Sequence, residues 1–270
     1  VVGVISPWNY PLILTMSPIM ASLMAGNTVV VKPSEVTPAT TLKLREIATR
    51  AGIPEDAFVV VTGEAETGKA LVQSQGTDMI CFTGSTATGR KIGEVCASML
   101  KPCILELGGN DPMLVFADAN LKRAARGSLW GGFFNAGQTC ISVERVFVEE
   151  SIKEPFLALV MEEMKGIKQG LREETPSVGS MTFPAQADKV EAHIKDAVKK
   201  GAKVLCGGRR NPDYKGYFIE PTILTDVTPD MTIMQEETFG PIFAVGTFKT
   251  EEEAVELANN TVYGLNASVW

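Results

Sequence analysis

Short apolar, β-branched runs alternate with amphipathic stretches through the first part of the chain. Residues 1–5, 28–32, 58–62, 79–82 and 103–107 have the length and composition of buried strands. Between them, residues 11–24, 38–51, 66–73 and 86–99 carry apolar side chains at helical spacing. Strands alternating with helices predict a mostly parallel, doubly wound α/β sheet. Such sheets take ligands in the loops beyond the carboxyl ends of their strands. Asn9, the stretch 32–35, Gly84-Ser85 and Glu106 all fall there.

A second α/β unit follows. Residues 112–116 and 146–149 predict strands, residues 121–135, 152–165 and 185–200 predict helices, and Gly207-Gly208 and Asn211-Pro212 mark turns. The expected division is a first domain over 1–109 and a second over 110–270, joined by short crossings, since neither a repeat nor a Pro/Ser-rich linker separates them. The chain opens on an apolar strand and stops on another, over 264–270, so both ends read as cut from a longer chain.

Composition narrows the chemistry. The net charge of −7 disfavours a nucleic-acid partner, which clustered cations would have to hold. Every apolar run is interrupted before it could span a bilayer, and no signal peptide is visible. Five irregularly spaced cysteines, with no C-x-x-C pair, indicate neither a disulfide framework nor a metal site and suit a reducing, cytoplasmic compartment. The only histidine, His193, lies on a charged helix and reads as a surface or boundary residue, so a histidine-based hydrolase is disfavoured.

Four segments carry candidate chemistry. Gly63-Glu64-Ala65-Glu66-Thr67-Gly68-Lys69 imitates a phosphate loop but continues with Ala70, where a hydroxyl is needed for magnesium. Gly84-Ser85 opens a helix, where amides and a hydroxyl hold either a pyrophosphate or simply the helix end. Cys140 sits among Gly, Gln and Thr rather than aliphatic residues, the setting of an accessible nucleophilic thiol, whereas Cys81, Cys96, Cys103 and Cys206 read as small buried residues. Glu106 interrupts an apolar strand just before Gly108-Gly109, and a carboxylate buried there would have the raised pKa of a general base.

Six motifs in order resemble the signature set of the aldehyde dehydrogenase superfamily. They are Pro7-Trp8-Asn9-Tyr10-Pro11, Lys32-Pro33-Ser34-Glu35, Phe82-Thr83-Gly84-Ser85, Leu105-Glu106-Leu107-Gly108-Gly109, Gly137-Gln138-Thr139-Cys140 and Glu236-Glu237-Thr238-Phe239-Gly240-Pro241. The resemblance runs through the whole chain and implies a cofactor domain, incomplete at its N-terminus, over 1–109. A catalytic domain truncated at its C-terminus would fill 110–270. It further implies an NAD-dependent enzyme, with NADP also admitted, that turns an aldehyde into an acid and assembles as a homodimer or homotetramer.

The resemblance also assigns roles. Cys140 is the nucleophile, Glu106 activates the water that hydrolyses its thioester, and the Asn9 amide holds the oxyanion. Lys32 and Glu35 meet the adenosine ribose, Gly84 and Ser85 the pyrophosphate, and Ile5, Trp8 and Leu107 the two ends of the dinucleotide. Glu237 and Phe239 seat the nicotinamide ribose and ring, and Ser34 and Gly108 belong to the same cofactor set. No metal is implied. Tyr10, Ile13, Trp130, Phe134 and Ile141 match substrate-tunnel positions and are mostly apolar. Two other readings stay open: a CoA-acylating semialdehyde dehydrogenase, which Glu106 disfavours, and an inactive fragment.

Overall fold

The computed structural model describes residues 1–270. The chain forms two compact units, Val1–Leu107 and Gly108–Trp270, each with its own sheet. The division lies two residues before the one read from the sequence.

In the first unit, β1 (Val2–Ile5), β2 (Val29–Lys32), β3 (Phe58–Val60), β4 (Met79–Thr83) and β5 (Cys103–Glu106) are all parallel, in the order β3-β2-β1-β4-β5. The helices α1 (Ile13–Met24), α2 (Pro38–Arg50), α3 (Ala65–Gln73) and α4 (Thr86–Ser98) make the crossovers. The chain starts at the sheet centre, winds outward to β3, and returns through α3 to place β4 on the other side of β1. That reversal separates the loops following β1 and β4, which is where a doubly wound sheet takes its ligand. Val29 and Val31, on one face of β2, are fully buried, while on the other face Val30 is half-buried and Lys32 buried.

β5 is an edge strand, and its residues alternate between half-buried and exposed, with Glu106 on the exposed side. The burial expected for Glu106 is therefore absent: the period of two, not the apolar neighbours, decides which way it faces.

The second unit holds β6 (Asp111–Val115), β7 (Val143–Glu149), β8 (Lys203–Cys206), β9 (Thr222–Thr225), β10 (Ile242–Phe248) and β11 (Ser268–Val269) in the order β11-β6-β7-β10-β9-β8. Only β8 runs antiparallel to its neighbour. The helices are α5 (Leu121–Phe133), α6 (Lys153–Met164), α7 (Pro184–Lys199), the single turn α8 (Thr232–Gln235) and α9 (Glu251–Asn259). α5 stops short of the expected 135 because Asn135 and Ala136 adopt left-handed φ of 53° and 55°.

His193 is not at the surface: it is 5% exposed, on the stripe of α7 that buries Val190, Ile194 and Ala197. Burial lowers its pKa, with Lys189 adding to the effect, and its Nδ1 lies 3.1 Å from Thr238 Oγ1. No helix in the chain is long and apolar enough to cross a membrane.

Candidate active site

In the unit 1–107, parallel register gathers the predicted residues at one end of the sheet. Ile5 pairs with Lys32 on one side and with Phe82 on the other, and Thr83 pairs with Glu106. The segments that follow these positions carry Trp8 and Asn9, Ser34 and Glu35, Gly84 and Ser85, and Leu107. Lys32, almost buried, donates to the half-exposed Glu35 carboxylate at 2.8 Å, and this bond holds Glu35 below the usual carboxylate range. Ser34 is buried and its Oγ accepts from Val36 N at 3.3 Å. Trp8 and Asn9 are half-buried.

Ser85 caps α4, its Oγ accepting from Thr88 N at 3.3 Å while its hydroxyl donates to Thr88 Oγ1 at 3.0 Å. Gly84 lies so close to Phe82 that a Cβ there would stand 2.6 Å from the ring, and its N–H bonds Glu106 O at 3.0 Å. Leu107 covers Gly89 of α4. Gly68, in the false phosphate loop, is a residue the sequence reading passed over. A Cβ there would stand 3.9 and 4.0 Å from Ile5 Cδ1 and Lys32 Cδ, in ordinary contact, which places α3 beside both side chains.

In the unit 108–270, Cys140 follows a turn whose backbone is left-handed at three successive residues, ending with Gly137 at φ 68°. That glycine is obligatory, because a Cβ would meet the Gly240 carbonyl oxygen at 1.8 Å. Gln138, 3% exposed, locks the same turn: Oε1 accepts from Thr182 N and Oγ1, both at 2.9 Å, and Nε2 donates to Asn135 O at 3.0 Å. The Cys140 thiol is half-buried. Burial pushes its pKa up, the Glu237 carboxylate adds to this, and the N–H of Cys140 itself opposes it. Burial thus holds the Cys140 thiol above the usual thiol range. Of the remaining cysteines, only Cys96 is fully buried, and Cys81, Cys103 and Cys206 are intermediate.

Glu237 folds its carboxylate over Gly108 and Gly109. Oε1 accepts from Gly109 N at 3.1 Å, and a Cβ on Gly108 would stand 2.6 Å from Oε2. Burial raises the Glu237 pKa. Phe239, two residues on, holds a left-handed φ of 58°. Gly108, Glu237 and Phe239 are therefore brought to one neighbourhood, together with the backbone of Cys140, whose carbonyl lies against Gly109.

Three charged residues here went unread in the sequence. Asp111 is 2% exposed, and burial pushes its pKa up to about 7. Glu144, 1% exposed, is pushed up to about 8 by burial and by Glu237. Arg145, 1% exposed, donates to the carbonyls of Asn110, Leu257 and Ala258 at 2.9, 3.1 and 2.9 Å, closing the C-terminal end of α9. A charged pair inside the run Val143-Glu144-Arg145-Val146-Phe147-Val148 was the available signal, since charges in a buried strand need partners.

The sequence profile of the aldehyde dehydrogenase family matches residues 1–270. A Mycolicibacterium smegmatis protein, provisionally named succinate-semialdehyde dehydrogenase [NADP(+)], is 44% identical over all of this chain, which covers 52% of that relative. The peroxisomal aminoaldehyde dehydrogenase 2 of Pisum sativum is 43% identical, again over the whole chain and 54% of the relative. The crystal structure of an NAD-dependent aldehyde dehydrogenase from Sinorhizobium meliloti superposes with a TM-score of 0.97 at 42% identity, covering all of this chain and 54% of that one. The chain thus spans about half the length of the relatives it matches. With ordered motifs, two α/β sheets and matches over the whole of this chain in agreement, the chain belongs to the aldehyde dehydrogenase family.

Proposed function

We propose that the protein oxidises an aldehyde to a carboxylic acid with a nicotinamide dinucleotide, the first unit serving as cofactor domain and the second as catalytic domain. The observation that carries this reading is the Cys140 thiol, held at the end of a left-handed turn in the field of a carboxylate seated on Gly108 and Gly109. The Cys140 thiolate forms a C–S bond to the carbonyl carbon, and the π electron pair moves onto oxygen. The Asn9 amide and the Cys140 N–H hold that oxyanion, a contribution of roughly 3–4 kcal/mol per donor in comparable sites. The nicotinamide, when bound, accepts the hydride that leaves this carbon.

The thioester left on Cys140 is then hydrolysed. Glu106 takes a proton from water, the water oxygen attacks the thioester carbon, the C–S bond breaks and the free acid departs. Exposure suits Glu106 to this task, since it must reach water and pass its proton on. Burial raises the pKa of the thiol, so the first step also draws on a base, and Glu106 assists there, its main task being the water.

The residues fit a dinucleotide. Lys32 and Glu35 would meet the adenosine ribose beside Ser34, Gly84 and Ser85 the pyrophosphate, Ile5, Trp8 and Leu107 the two ends, and Gly108, Glu237 and Phe239 the nicotinamide riboside. Glu35 is kept ionised by Lys32, which favours ribose hydroxyls over a 2′-phosphate and so NAD over NADP. Trp130 and Phe134 stack at 5.2 Å, and both are exposed, as is Ile141, which supports an apolar aldehyde. We assign the full-length protein to the cytoplasm as a homodimer or homotetramer, the assembly being tested by light scattering.

The decisive experiment is steady-state kinetics with hexanal, succinic semialdehyde and an aminoaldehyde, each with NAD and with NADP. Turnover of hexanal with NAD at the highest kcat/KM is expected. Preference for either charged aldehyde would overturn the apolar assignment, and absence of turnover with every pair would overturn the reading itself.

A further inference from the structure

The segment 237–239 is held in an unusual way, because side chains from outside take up all six of its backbone polar groups. Glu237 N donates to Tyr263 Oη at 3.5 Å. Thr238 N donates to both Glu144 oxygens, at 3.0 and 2.7 Å, and Phe239 N to Glu144 Oε1 at 2.7 Å. On the acceptor side, Glu237 O receives Lys189 Nζ at 2.5 Å, and Gln186 Nε2 reaches Thr238 O at 2.9 Å and Phe239 O at 3.0 Å. Thr238 is fully buried, with its hydroxyl on His193.

Such a turn does not set its own shape. Phe239 stands in a left-handed conformation that costs a non-glycine residue on the order of 1–3 kcal/mol unless its surroundings impose it. The imposition comes from β7 and α7, distant in sequence. Glu144 is the central member, since one carboxylate takes the N–H groups of two successive residues. Oε1 alone reaches both, so the pair of bonds survives protonation at Oε2. A buried N–H left without its acceptor costs roughly 1–3 kcal/mol, and removing Glu144 would strand two.

We propose that Glu144 is a positioning residue: with Gln186 and Lys189 it fixes the backbone of residues 237–239, so that Glu237 and Phe239 stand preset for the nicotinamide riboside. This rests on the functional reading above, which places those two side chains on the cofactor. Glu144 touches the turn and not the reacting atoms, so its loss weakens cofactor binding far more than it alters the Cys140 thiol, whose shift comes first from burial and only then from Glu237.

The test compares Glu144→Met, which has similar length and no acceptor, with Glu144→Gln, which keeps one carbonyl oxygen. NADH binding is titrated by fluorescence, the rate of Cys140 alkylation by iodoacetamide is measured, and hydrogen exchange is followed at the amides of Thr238 and Phe239. Glu144→Met should weaken NADH about tenfold and lose protection at both amides, while Glu144→Gln restores affinity to within about threefold and alkylation changes less than about twofold in either. Unchanged NADH affinity and amide protection in Glu144→Met would overturn the proposal, as would alkylation altered as much as affinity. Should Glu144→Met not fold, Gln186→Met, which frees the two carbonyls from half-buried α7, must show the same split for the proposal to stand. A wild-type protein that binds neither NADH nor NADPH would instead sink the functional reading, and amide protection would still judge the clamp.

Discussion

The acidic groups at the candidate site behave in opposite ways in the two units. In 1–107, Glu35 is half-exposed and lies three residues from its cation, so Lys32 draws its pKa down. In 108–270, Asp111 and Glu144 are buried and Glu237 is half-buried, and desolvation drives all three up. Their compensation comes mainly from N–H groups, not from a paired ammonium: Glu144 is held by Thr238 and Phe239, and Glu237 by Gly109. The contrast suits the proposed division of labour. A solvated ion pair reads the polar edge of a cofactor by charge, while a chemical step with a thiol needs a drier, prearranged surrounding.

The largest effect tests which side of that contrast holds the chemistry. Cys140→Ser should lower aldehyde oxidation on the order of 10³-fold or more while NADH still binds, because a hydroxyl lacks the thiolate's nucleophilicity. In the ligand-free wild type, alkylation of Cys140 should keep rising by about tenfold per pH unit through pH 8 and 9, since burial holds the thiol above its usual range. A plateau near pH 7 would show that Cys140 is not governed by burial.

The next effect is on stability. Asp111 has a folded pKa of about 7, above its unfolded value, so the folded state binds the proton more tightly. Stability is then greatest below the unfolded pKa and is lost as pH rises toward 7, a change on the order of 4 kcal/mol from this residue. Glu144 acts in the same sense. Denaturant melts of the wild type should weaken between about pH 4 and 8, and Asp111→Asn should flatten that slope. Equal slopes in both proteins would mean that Asp111 is not the group that titrates.

Smaller again is Glu106→Gln, expected to slow deacylation more than acylation, so that steady turnover falls about 10²-fold while a slower single-turnover burst of NADH survives. Equal loss of burst and steady rate would show that Glu106 does not activate the water.

The same contrast explains what could be read from the chain alone. The first unit's strands and helices were legible because each βα step carries its own apolar period and its own turn, and Lys32 with Glu35 is a local motif. Ser85 at a strand-to-helix turn was legible for the same reason, as a cap. Glu106 was misjudged because apolar neighbours indicate a strand but not which face is covered. In the second unit, β9 and β10 are short or continuous apolar runs, buried on both faces, with no period to distinguish them. β8 is an edge strand of four residues, exposed at Lys203 and Val204, whose short apolar run shows no period either. Glu144 and its turn are 94 and 95 residues apart, and Gly109 and Glu237 are 128 apart, so no local pattern could pair them. His193 looked superficial because charged neighbours flank it on α7, although its own position continues the buried stripe.

The smallest expected effect concerns the ion pair in the first unit. Lys32 Nζ and Glu35 Oε2 are 2.8 Å apart, with the lysine nearly buried and the carboxylate half in solvent. An ionised Glu35 can accept from ribose hydroxyls, but a 2′-phosphate would bring like charges together. Repulsion of ~1.4 kcal/mol is a tenfold preference, and Lys32 offsets part of it, so selectivity rather than exclusion is expected. Glu35→Gln removes the repulsion and frees the Lys32 ammonium for a phosphate. It should therefore raise kcat/KM for NADP by up to about tenfold and change that for NAD by less than about threefold, with the aldehyde KM unmoved. The ratio should also shrink with added salt, because half of the pair is exposed to screening. A wild-type preference for NADP, or a mutant ratio equal to the wild type's, would show that Glu35 does not read the ribose.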